Sequence, residues 1–472
     1  MVPEVSGQPS ARQAALEALV RLDRQGAFIR EELHALYDKM ALAPRDRALA
    51  TQLATGAIRH RRTLRLVLSR LRGKAGRAAE IQPALRAILE LGAFQLLFLD
   101  RVPGYAAINE AVEAARRSTT GPRREKAAGF VNGMLRGLQR LIIGRDPAGR
   151  PDRDALPHPE GGVVRLRTKV LPEPTESFPA FLGGAYSYPD WLVSRWLRSF
   201  GQEEAEAICR WGNRRPHLVA RVNPMRHAPA ALLELLRKES PDVSPGPRPG
   251  TLDVSALDPA RLEALLEEGS LAVQDPAAMA AVEALAPAPG ENVLDLCASP
   301  GTKTTQIAEA MADRGRVVAS DRTEDKLQAI RRAAASHGLS SVTVCLAADA
   351  PSQAPPGGFD AALVDVPCSN TGVLARRVEA RWRLRPEDLE ELPRLQSRLL
   401  TEAAALVRPG GRLVYSTCSL QSEENEQVVE AFLRQNPPWR LGRQELILPG
   451  ADHDGAFWAR LENAECRMRS AQ

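Results

Sequence analysis

Residues 292–305 read NVLDLCASPGTKTT, and this stretch decides the fold of the second half of the chain. An apolar run is followed by small residues and then by a helical pattern, which predicts a buried strand that turns directly into a helix. Ala298, Ser299, Pro300 and Gly301 have little bulk, so the backbone can approach a ligand closely. The first N–H groups of the helix behind them lack intrahelical partners. We therefore expect a ligand site at this turn.

From about residue 271 onward, apolar runs alternate with helical patterns. The predicted strands after the first are GRVVASD, VTVCLAAD, FDAALVDVP and RLVYSTC, and amphipathic segments such as EDKLQAIRRAAASHG separate most of them. This alternation is typical of an α/β domain with a doubly wound, mostly parallel sheet. We therefore predict a Rossmann-like domain over residues 271–472.

The second and third predicted strands end in acids that suit a nucleoside. Asp321 stands twenty residues after Gly301, where the acid of dinucleotide folds accepts ribose hydroxyls, and Asp349 is placed to reach an adenine. The turn lacks the GxGxxG pattern, and Thr302 between Gly301 and Lys303 breaks the P-loop pattern. S-adenosyl-L-methionine has no phosphates and needs neither pattern, and Lys303 can pair with its carboxylate. We therefore expect it as the cofactor.

The cysteines of the chain are scattered, at positions 209, 297, 345, 368, 418 and 466. No pair has CxxC spacing, and no Cys/His cluster has zinc spacing. A long chain without a secretion signal rarely depends on disulfides. We expect neither a disulfide framework nor a metal site, so each cysteine is judged by its own place in the fold.

Two of these cysteines follow predicted strands. Cys368 stands in DVPCSNTG after the fourth strand, and Cys418 stands in STCS after the fifth. Ligands of open parallel sheets bind at the carboxyl ends of strands, so Asp365, Cys368 and Cys418 converge beside the cofactor if these strands are neighbours. A lone cysteine at a strand end is more often a small core residue, but two at one edge weaken that interpretation.

Two thiols beside a methyl donor suit chemistry at carbon 5 of cytosine, which is too poor a nucleophile to take the methyl group unaided. A thiolate that adds to carbon 6 gives an enamine whose carbon 5 can attack. Asp365 can hydrogen-bond N3 of the base and favour cytosine over uracil. The second thiol can assist release of the product. Spacing alone does not say which thiol attacks.

The first part of the chain has a different pattern and a different charge. Helical periodicity runs through residues 1–142 and predicts a compact all-helical domain. Residues 1–140 carry 24 lysines and arginines against 13 acids, a net charge of +11 in a chain of +5. A basic domain on an acidic body favours a polyanion partner such as RNA, although an arginine-rich solvated surface gives the same count.

Proline and glycine crowd residues 143–188, so we predict a linker there, followed by a small mixed α/β region over residues 189–270. No apolar run reaches the ~20 residues of a membrane span. The N-terminus MVPEVSGQPS lacks the basic and apolar parts of a signal peptide. We therefore expect a cytoplasmic monomer with no membrane contact.

The joined motifs resemble the NOL1/NOP2/Sun family of RNA cytosine-5 methyltransferases. The family's DAPCSxxG stands here as DVPCSNTG, its STCS as STCSLQSEENE, and its cofactor loop DxCAAPGGKT as DLCASPGTKT. The resemblance implies that Cys418 is the nucleophile and that Cys368 assists product release. It also implies cofactor contacts at Cys297, Ala298, Ser299, Pro300, Gly301, Thr302, Lys303, Asp321, Asp349 and Asp365.

The resemblance extends beyond the sheet. VARVNPMR is similar to the family's LRVN segment, which implies substrate contacts at Arg221 and Asn223. APRDRALATQLATGAIRHR and AAGFVNGMLR resemble the antitermination factor NusB, which implies an RNA-binding NusB-like domain over residues 1–142. A NusB-like domain joined to this catalytic pattern resembles the branch of the family that acts on small-subunit ribosomal RNA. Thr302 departs from the family's glycine, and a β-branched residue is unsuited to a left-handed backbone.

Other functions fit parts of the sequence. The same chemistry on transfer RNA fits the catalytic motifs equally well. A non-catalytic RNA-binding or antitermination module fits the NusB-like part, although the intact set of Asp365, Cys368 and Cys418 disfavours it. A small-molecule methyltransferase fits the catalytic part, but the basic N-terminal domain disfavours it. Ribosomal RNA is the substrate that we expect.

Overall fold

The chain divides into two compact units in a computed structural model that describes residues 10–25, 28–72 and 81–464. Unit 1 is Met1–Arg215, and unit 2 is Pro216–Gln472. Each unit buries its own set of apolar side chains. Cys466 lies outside the described residues.

The first part of unit 1 is helical, as the periodicity predicts, and its helices bury apolar side chains. The helices are α1 Ala11–Gln25, α2 Ile29–Lys39, α3 Pro44–Arg59, α4 Arg61–Leu71, α5 Pro83–Phe98, α6 Gly104–Ser118 and α7 Arg123–Leu141. Prolines stand in the first turn of α3 and α5, where the missing N–H would have no helical partner. Helices α3 and α5 approach closely, since a Cβ at Gly56 would lie 2.0 Å from Phe94 Cζ.

Within the part of the chain that the structure describes, no helix combines the length and the apolar character that a membrane crossing needs. Helix α5 is apolar for most of its length but carries Glu90, a buried carboxylate that accepts a hydrogen bond from Arg65 Nε at 2.6 Å. The apolar side chains of α5 serve the core of unit 1.

Residues 143–188 are not the structureless linker that the sequence predicts. β1 (Ile142–Asp146), β2 (Ala155–Pro157) and β3 (Val163–Leu166) form an antiparallel sheet in the order β1-β3-β2. Most of the prolines and glycines lie in the connections, while Leu156 is fully buried. These strands are so short that an alternation of apolar and polar residues cannot be recognised among the surrounding turn residues.

Two further helices complete unit 1: α8 (Phe178–Tyr186) and α9 (Asp190–Trp211). Ser177 caps α8 by accepting a hydrogen bond from the N–H of Ala180. Gly201, with φ 79° and ψ 179°, interrupts the helical backbone within α9. Helix α9 packs against α8, and the compact units divide after residue 215.

Unit 2 begins with a small antiparallel sheet in the order β5-β6-β4-β7. Its strands are β4 Val219–Val222, β5 Ser244–Pro245, β6 Thr251–Asp253 and β7 Leu271–Val273, and its helices are α10 Pro229–Glu239 and α11 Pro259–Glu267. Ala220 and Val222 on β4 share a buried core with Leu232 and Leu236 on α10. This sheet matters for the site because β7 leads directly into residues that line it.

The larger sheet of unit 2 has the order β10-β9-β8-β11-β12-β14-β13. Its strands are β8 Asn292–Leu296, β9 Arg316–Asp321, β10 Val342–Leu346, β11 Phe359–Asp365, β12 Val407–Thr417, β13 Trp439–Ile447 and β14 Ala456–Asn463. Strands β8 to β12 pair in parallel, which confirms the predicted Rossmann-like sheet. The chain builds β9 and β10 on one side of β8 and then returns to β11 on the other side. A ligand crevice is expected at the carboxyl ends of β8 and β11, where the direction of winding changes.

Helices cover both faces of this sheet, because successive side chains of each strand enter opposite cores. They are α12 Pro276–Leu285, α13 Thr302–Ala310, α14 Glu324–His337, α15 Ala380–Arg383, α16 Asp388–Ala404 and α17 Glu426–Gln435. Ala361 and Leu363 of β11 enter the core shared with α12 and α13. Ala362 and Val364 enter the core shared with α16 and α17.

The sequence does not predict β13 and β14, which run antiparallel at one edge of the sheet. Residues 440–445 of β13 are exposed, so the strand lacks the alternation that marks a half-buried strand. Gly455, just before β14, donates its N–H to Gly372 O at 2.8 Å, and Gly372 donates to Cys418 O at 2.8 Å. The unpredicted edge therefore supports the turns that carry the thiols.

We expect Leu156→Ala to lower the free energy of unfolding of unit 1 by about 2–5 kcal/mol, because a cavity would replace a fully buried side chain. Ile143→Ala lies in the same sheet but removes a side chain that is 58% exposed, so it should change that energy by less than about 0.5 kcal/mol. Hydrogen exchange of the unit 1 helices along a urea titration measures both. Equally small effects would mean that residues 142–166 behave as a linker.

Candidate active site

The carboxyl ends of β11 and β12 bring the two predicted thiols together. The strands pair in parallel with Asp365 beside Ser416, and the chain leaves the sheet soon after each of them. Cys368 and Cys418 lie in these turns, with their Sγ atoms 2.9 Å apart. Both side chains are only partly buried. The fold therefore contains the juxtaposition that the order of the motifs leads us to expect.

Asp365 lies beside the thiols and is held from two sides. Lys303 Nζ donates to its Oδ2 at 2.6 Å, and Ser416 Oγ donates to its Oδ1 at 2.6 Å. Burial lowers the pKa of Lys303, but the surrounding negative charges, Asp365 first, raise it above the ordinary value, so the ammonium form is favoured. The sequence leads us to expect Lys303 opposite a cofactor carboxylate, whereas its partner in the structure is Asp365.

The two thiols have different surroundings. A hydrogen bond with Cys418, burial, and the charges of Cys418 and Glu424 raise the pKa of Cys368 well above its ordinary value, so this sulfur keeps its proton. Cys418 lies close enough to Lys303 for a negative sulfur to raise the lysine pKa. Its Sγ also contacts Asn370 Oδ1 at 3.4 Å. Lys303 is therefore a cation close enough to Cys418 to interact with it electrostatically.

A cleft of about 190 Å³ opens beside the N-terminus of α13. Residues of the predicted cofactor loop, from Cys297 to Lys303, form much of its wall, together with Asp295, Asp365 and Val273. The cleft adjoins the thiols because Asp365 belongs both to its lining and to their surroundings.

The conflict expected at Thr302 does not arise. The left-handed residues of the loop are Cys297, with φ 67°, and Gly301, with φ 104°, whereas Thr302 is the first residue of α13. A Cβ at Gly301 would lie 3.0 Å from Cβ of Ala333 and 3.2 Å from Cα of Ile330. Glycine is therefore needed at residue 301, and the next position has helical backbone that accepts a threonine.

Asp295 is a residue of the cleft that begins the quoted motif DLCASPGTKT but is not among the expected cofactor contacts. It is fully buried, and Thr304 Oγ1 donates to its Oδ2 at 2.6 Å. Its Oδ1 has no hydrogen-bond partner among the residues described. Burial, together with the charges of Asp365 and Asp321, raises its pKa to about 7. The sequence feature that could have identified Asp295 is an acid within the apolar strand NVLDL, because a buried carboxyl group needs a polar partner.

The predicted ribose and adenine acids lie near strand ends but not in the lining of the cleft. Asp321 is buried and accepts hydrogen bonds from Ser299 N at 3.2 Å and Lys326 Nζ at 2.9 Å, so it ties the cofactor loop to α14. Asp349 is exposed on the 3-10 helix Ala347–Gln353. Their assignment as cofactor contacts stays a prediction.

The two predicted substrate residues, Arg221 and Asn223, lie in the interior, and their assignment as substrate contacts stays a prediction. Arg221 donates to Gln274 Oε1 at 2.9 Å and to Thr305 Oγ1 at 2.9 Å, and it forms an ion pair with Glu309. Asn223 is fully buried. Its amide nitrogen donates a hydrogen bond to a backbone oxygen, and its amide oxygen accepts one from a backbone N–H. Arg221 joins the small sheet to α13, so it supports the wall of the cleft from behind.

Glu424 lies behind the thiol turns and is fully buried. It accepts hydrogen bonds from Ser369 N at 2.8 Å and from Gln396 Nε2 at 3.0 Å. The stretch STCSLQSEENE contains it, but Glu423 and Glu426 in the same stretch are only partly buried. Residue type alone therefore gives no sign of which acid faces the site.

Two other described cysteines lie apart from the pair: Cys209 is buried on α9 of unit 1, and Cys345 lies on β10. Cys297 lines the cleft. No cysteine in the described ranges forms a disulfide bond. Those ranges also contain no group of three or more His, Cys, Asp or Glu side chains that could hold a metal ion.

Models of three protein families match the chain. The family described as 16S rRNA methyltransferase RsmB/F matches residues 282–456, which include both thiols and the cleft residues from Asp295 to Asp365. The NusB family matches residues 9–140, within the helical part of unit 1. A ferredoxin-like domain of RsmF/B-like methyltransferases matches residues 188–250.

Similar proteins cover almost the whole chain. The probable ribosomal RNA small subunit methyltransferase B of Synechocystis sp. is 33% identical, over 96% of this chain and 100% of that protein. The ribosomal RNA small subunit methyltransferase B of Salmonella arizonae is 33% identical, over 96% of this chain and 99% of that protein. The crystal structure of PH0851 has a TM-score of 0.74 and 24% identity, and the match covers 98% of this chain and 100% of that one. This last likeness supports the fold.

We expect Arg221→Met to lower the free energy of unfolding of unit 2 by about 3–5 kcal/mol, because Glu309 would stay buried without its cation. Arg226→Met replaces an exposed arginine of the same segment and should cost less than about 1 kcal/mol. Hydrogen exchange of α13 along a urea titration measures both. An Arg221→Met variant that is as stable as the parent but binds RNA much more weakly would instead support a direct contact between Arg221 and the substrate.

Proposed function

The chain belongs to the RsmB/F family of 16S rRNA methyltransferases, and on that premise we propose that it methylates carbon 5 of a cytosine in small-subunit ribosomal RNA through a covalent bond from Cys418 to carbon 6. Membership makes the chain an S-adenosylmethionine-dependent ribosomal RNA methyltransferase. The methylated position and the covalent step are the proposal. The observation that carries them is the pair of thiols 2.9 Å apart beside Lys303, Asp365 and the cleft.

S-adenosylmethionine is the cofactor, and the residues of the cleft fit it. The buried Oδ1 of Asp295, which has no partner among the described residues, matches the ammonium group of the cofactor's amino-acid part. Ala298 and Gly301 allow close approach of the backbone. Asp321 and Asp349 would hold the ribose and the adenine at the neighbouring strand ends. When bound, the cofactor supplies the methyl group that becomes attached to carbon 5.

Cys418 is the nucleophile in this proposal. Its thiolate forms a bond to carbon 6 of the cytosine, and the electron pair of the C5–C6 double bond makes carbon 5 the attacking carbon. Lys303 faces Cys418, and its ammonium form is favoured by Asp365. A neighbouring cation stabilises a thiolate before it attacks. Lys303 is therefore our candidate for the group that activates the nucleophile.

Asp365 is the proposed contact to cytosine N3. Because N3 and a carboxylate oxygen are both acceptors, this contact needs a proton between them. Lys303 Nζ, 2.6 Å from Asp365 Oδ2, keeps its own protons in this proposal and holds that oxygen in place. Ser416 holds the other oxygen of Asp365 at 2.6 Å, so the carboxyl group has a fixed orientation. Uracil carries its own proton on N3, and the contact therefore favours cytosine.

Cys368 is the proposed release group. After methyl transfer, carbon 5 loses its proton to a base, the C5–C6 double bond re-forms, and the bond from carbon 6 to Cys418 breaks with its electron pair on sulfur. Cys368 keeps its proton because its pKa is raised by its bond with Cys418, by burial and by Glu424. Its S–H lies 2.9 Å from the departing sulfur and can hydrogen-bond it.

We expect Cys368→Ala to accumulate a covalent protein–RNA complex when it is incubated with small-subunit ribosomal RNA and S-adenosylmethionine, because release loses its proton donor. A denaturing gel shows the complex as a retarded band. Cys209→Ala, which replaces a buried cysteine of unit 1, should accumulate none. Replacing Cys418 as well should abolish the complex. A complex that survives without Cys418 would reverse the two roles, and its absence from every variant would contradict the covalent step.

We expect S-adenosylmethionine to bind more tightly as the pH rises from about 5.5 to about 7, by at most about tenfold per pH unit. Burial holds the pKa of Asp295 at about 7, so the ligand-free group is protonated below that pH, whereas a cationic ligand needs the carboxylate. Asp295→Asn should weaken binding and flatten the dependence.

Calorimetry across this pH range measures the effect. Asp313→Asn is the matched control, because Ser340 and Ser341 help to lower the pKa of Asp313 to about 2 and it stays ionised throughout. Asp454 titrates near 7 as well, since burial and Asp275 raise its pKa. Any pH dependence of cofactor binding that remains in Asp295→Asn is therefore assigned to Asp454. An undiminished slope in Asp295→Asn would remove Asp295 from the cofactor site.

A further inference from the structure

Glu424 is a buried carboxylate that bonds the turns of both thiols. It ends the short 3-10 helix Ser422–Glu424 after β12 and is fully buried. Its Oε1 accepts the N–H of Ser369 at 2.8 Å, and its Oε2 accepts the hydroxyl of Ser419. Ser369 directly follows Cys368, and Ser419 directly follows Cys418. One carboxylate therefore spans the two chain segments that carry the thiols.

Hydroxyl groups complete this connection between the turns. Ser369 Oγ and Ser419 Oγ lie 3.0 Å apart, and Thr371 Oγ1 lies 3.2 Å from each of them. Thr371 Oγ1 also accepts the N–H of Leu420 at 2.8 Å. Since these side chains are buried, the hydrogen bonds gain strength from the low dielectric around them. The separation of the two sulfurs is thus fixed by a polar cluster that Glu424 organises.

The charge of Glu424 is not paired with a cation among the described residues. Its side-chain donors are Ser369, Gln396 and Ser419, which are all neutral. The hydroxyl of Tyr415 adds a bond to its backbone oxygen at 2.6 Å. A negative charge held this way acts on groups nearby, and it contributes to the raised pKa of Cys368.

We propose that Glu424 is a positioning residue that holds the two thiols in register and makes Cys368 the one that carries the proton. The inference rests on the proposed function, because it gives a reason for the different roles of Cys418 and Cys368. Glu424 contacts neither sulfur in the structure and acts through the turns and through its charge.

The groups that face Cys368 come from several elements. Cys418 lies 2.9 Å away on the turn after β12. Glu424 and Tyr415 are close enough to interact electrostatically, and the N–H of Asn370 lowers the pKa of Cys368. Glu424 is the charged carboxylate in this set, so removing its charge should make Cys368 a stronger acid.

The test compares Glu424→Gln with the parent protein in a Cys418→Ser background. The rate at which iodoacetamide alkylates Cys368 is followed against pH by mass spectrometry of the full chain. We expect the midpoint for Cys368 to fall by about one pH unit in Glu424→Gln, the size of effect expected from a nearby like charge. Asp360→Asn, at the opposite end of β11, is the matched control and should leave the midpoint unchanged. An unchanged midpoint in Glu424→Gln would overturn the proposal.

A second measurement tests whether the polar cluster holds the two thiols in position. Ser419→Ala, with both cysteines present, removes the hydroxyl that bonds Ser369, Thr371 and Glu424 and leaves the charge of Glu424. We expect covalent protein–RNA complex to decay at least about tenfold more slowly in this variant, with unchanged affinity for S-adenosylmethionine. If Glu424→Gln does not fold, Ser419→Ala is the variant that tests the proposal. Decay of its covalent complex at the parent rate would then refute the proposal.

The alkylation experiment needs neither RNA nor methyl transfer. A Cys368→Ala variant that forms no covalent complex would therefore contradict the proposed function, while the Cys368 midpoint would still report on Glu424.

Discussion

The parallel pairing of β11 with β12 is the constraint on which the site depends. Both strands end at the same edge of the sheet, so Cys368 and Cys418 are neighbours although fifty residues separate them. Main-chain bonds extend the pairing beyond the strands, from Val366 N to Ser416 O at 3.0 Å and from Gly372 N to Cys418 O at 2.8 Å. A slip of one residue would turn the side chains to opposite faces of the sheet. The sheet register therefore brings the two sulfurs to the same edge of the sheet.

Charge then distinguishes two thiols that would otherwise be alike. Lys303 reaches from α13 to Asp365 and faces Cys418, so the helix behind the cofactor loop also supplies the cation of the catalytic edge. Glu424 places a negative charge behind the turn of Cys368. Arg221 links the small sheet to α13 and so connects the position of Lys303 to a second element. The proposed nucleophile, Cys418, thus stands beside a cation, and the proposed release thiol, Cys368, stands beside an anion.

The parallel sheet and the convergence of the thiols were predictable because both follow from local patterns, apolar strands that end in polar residues. The edge strand β13 was not, since its exposed side chains lack alternation. A motif gives the residue type but not its burial, which is why Arg221 was expected at the substrate and lies in the interior. Asp295 and Glu424 were missed for the same reason, because their importance depends on which oxygens find partners once the chain is folded.

Small-subunit ribosomal RNA that contains 5-fluorocytosine tests covalent attack by Cys418 most directly. Carbon 5 then bears fluorine in place of the proton that must leave, so the covalent complex should persist on the unaltered protein. Proteolysis and mass spectrometry locate the bond. We expect a nucleotide attached to Cys418, within the tryptic peptide of residues 413–434, and only when S-adenosylmethionine is present. A nucleotide attached to Cys368, or methylation of ordinary RNA with no attached peptide from the fluorinated RNA, would contradict the assignment.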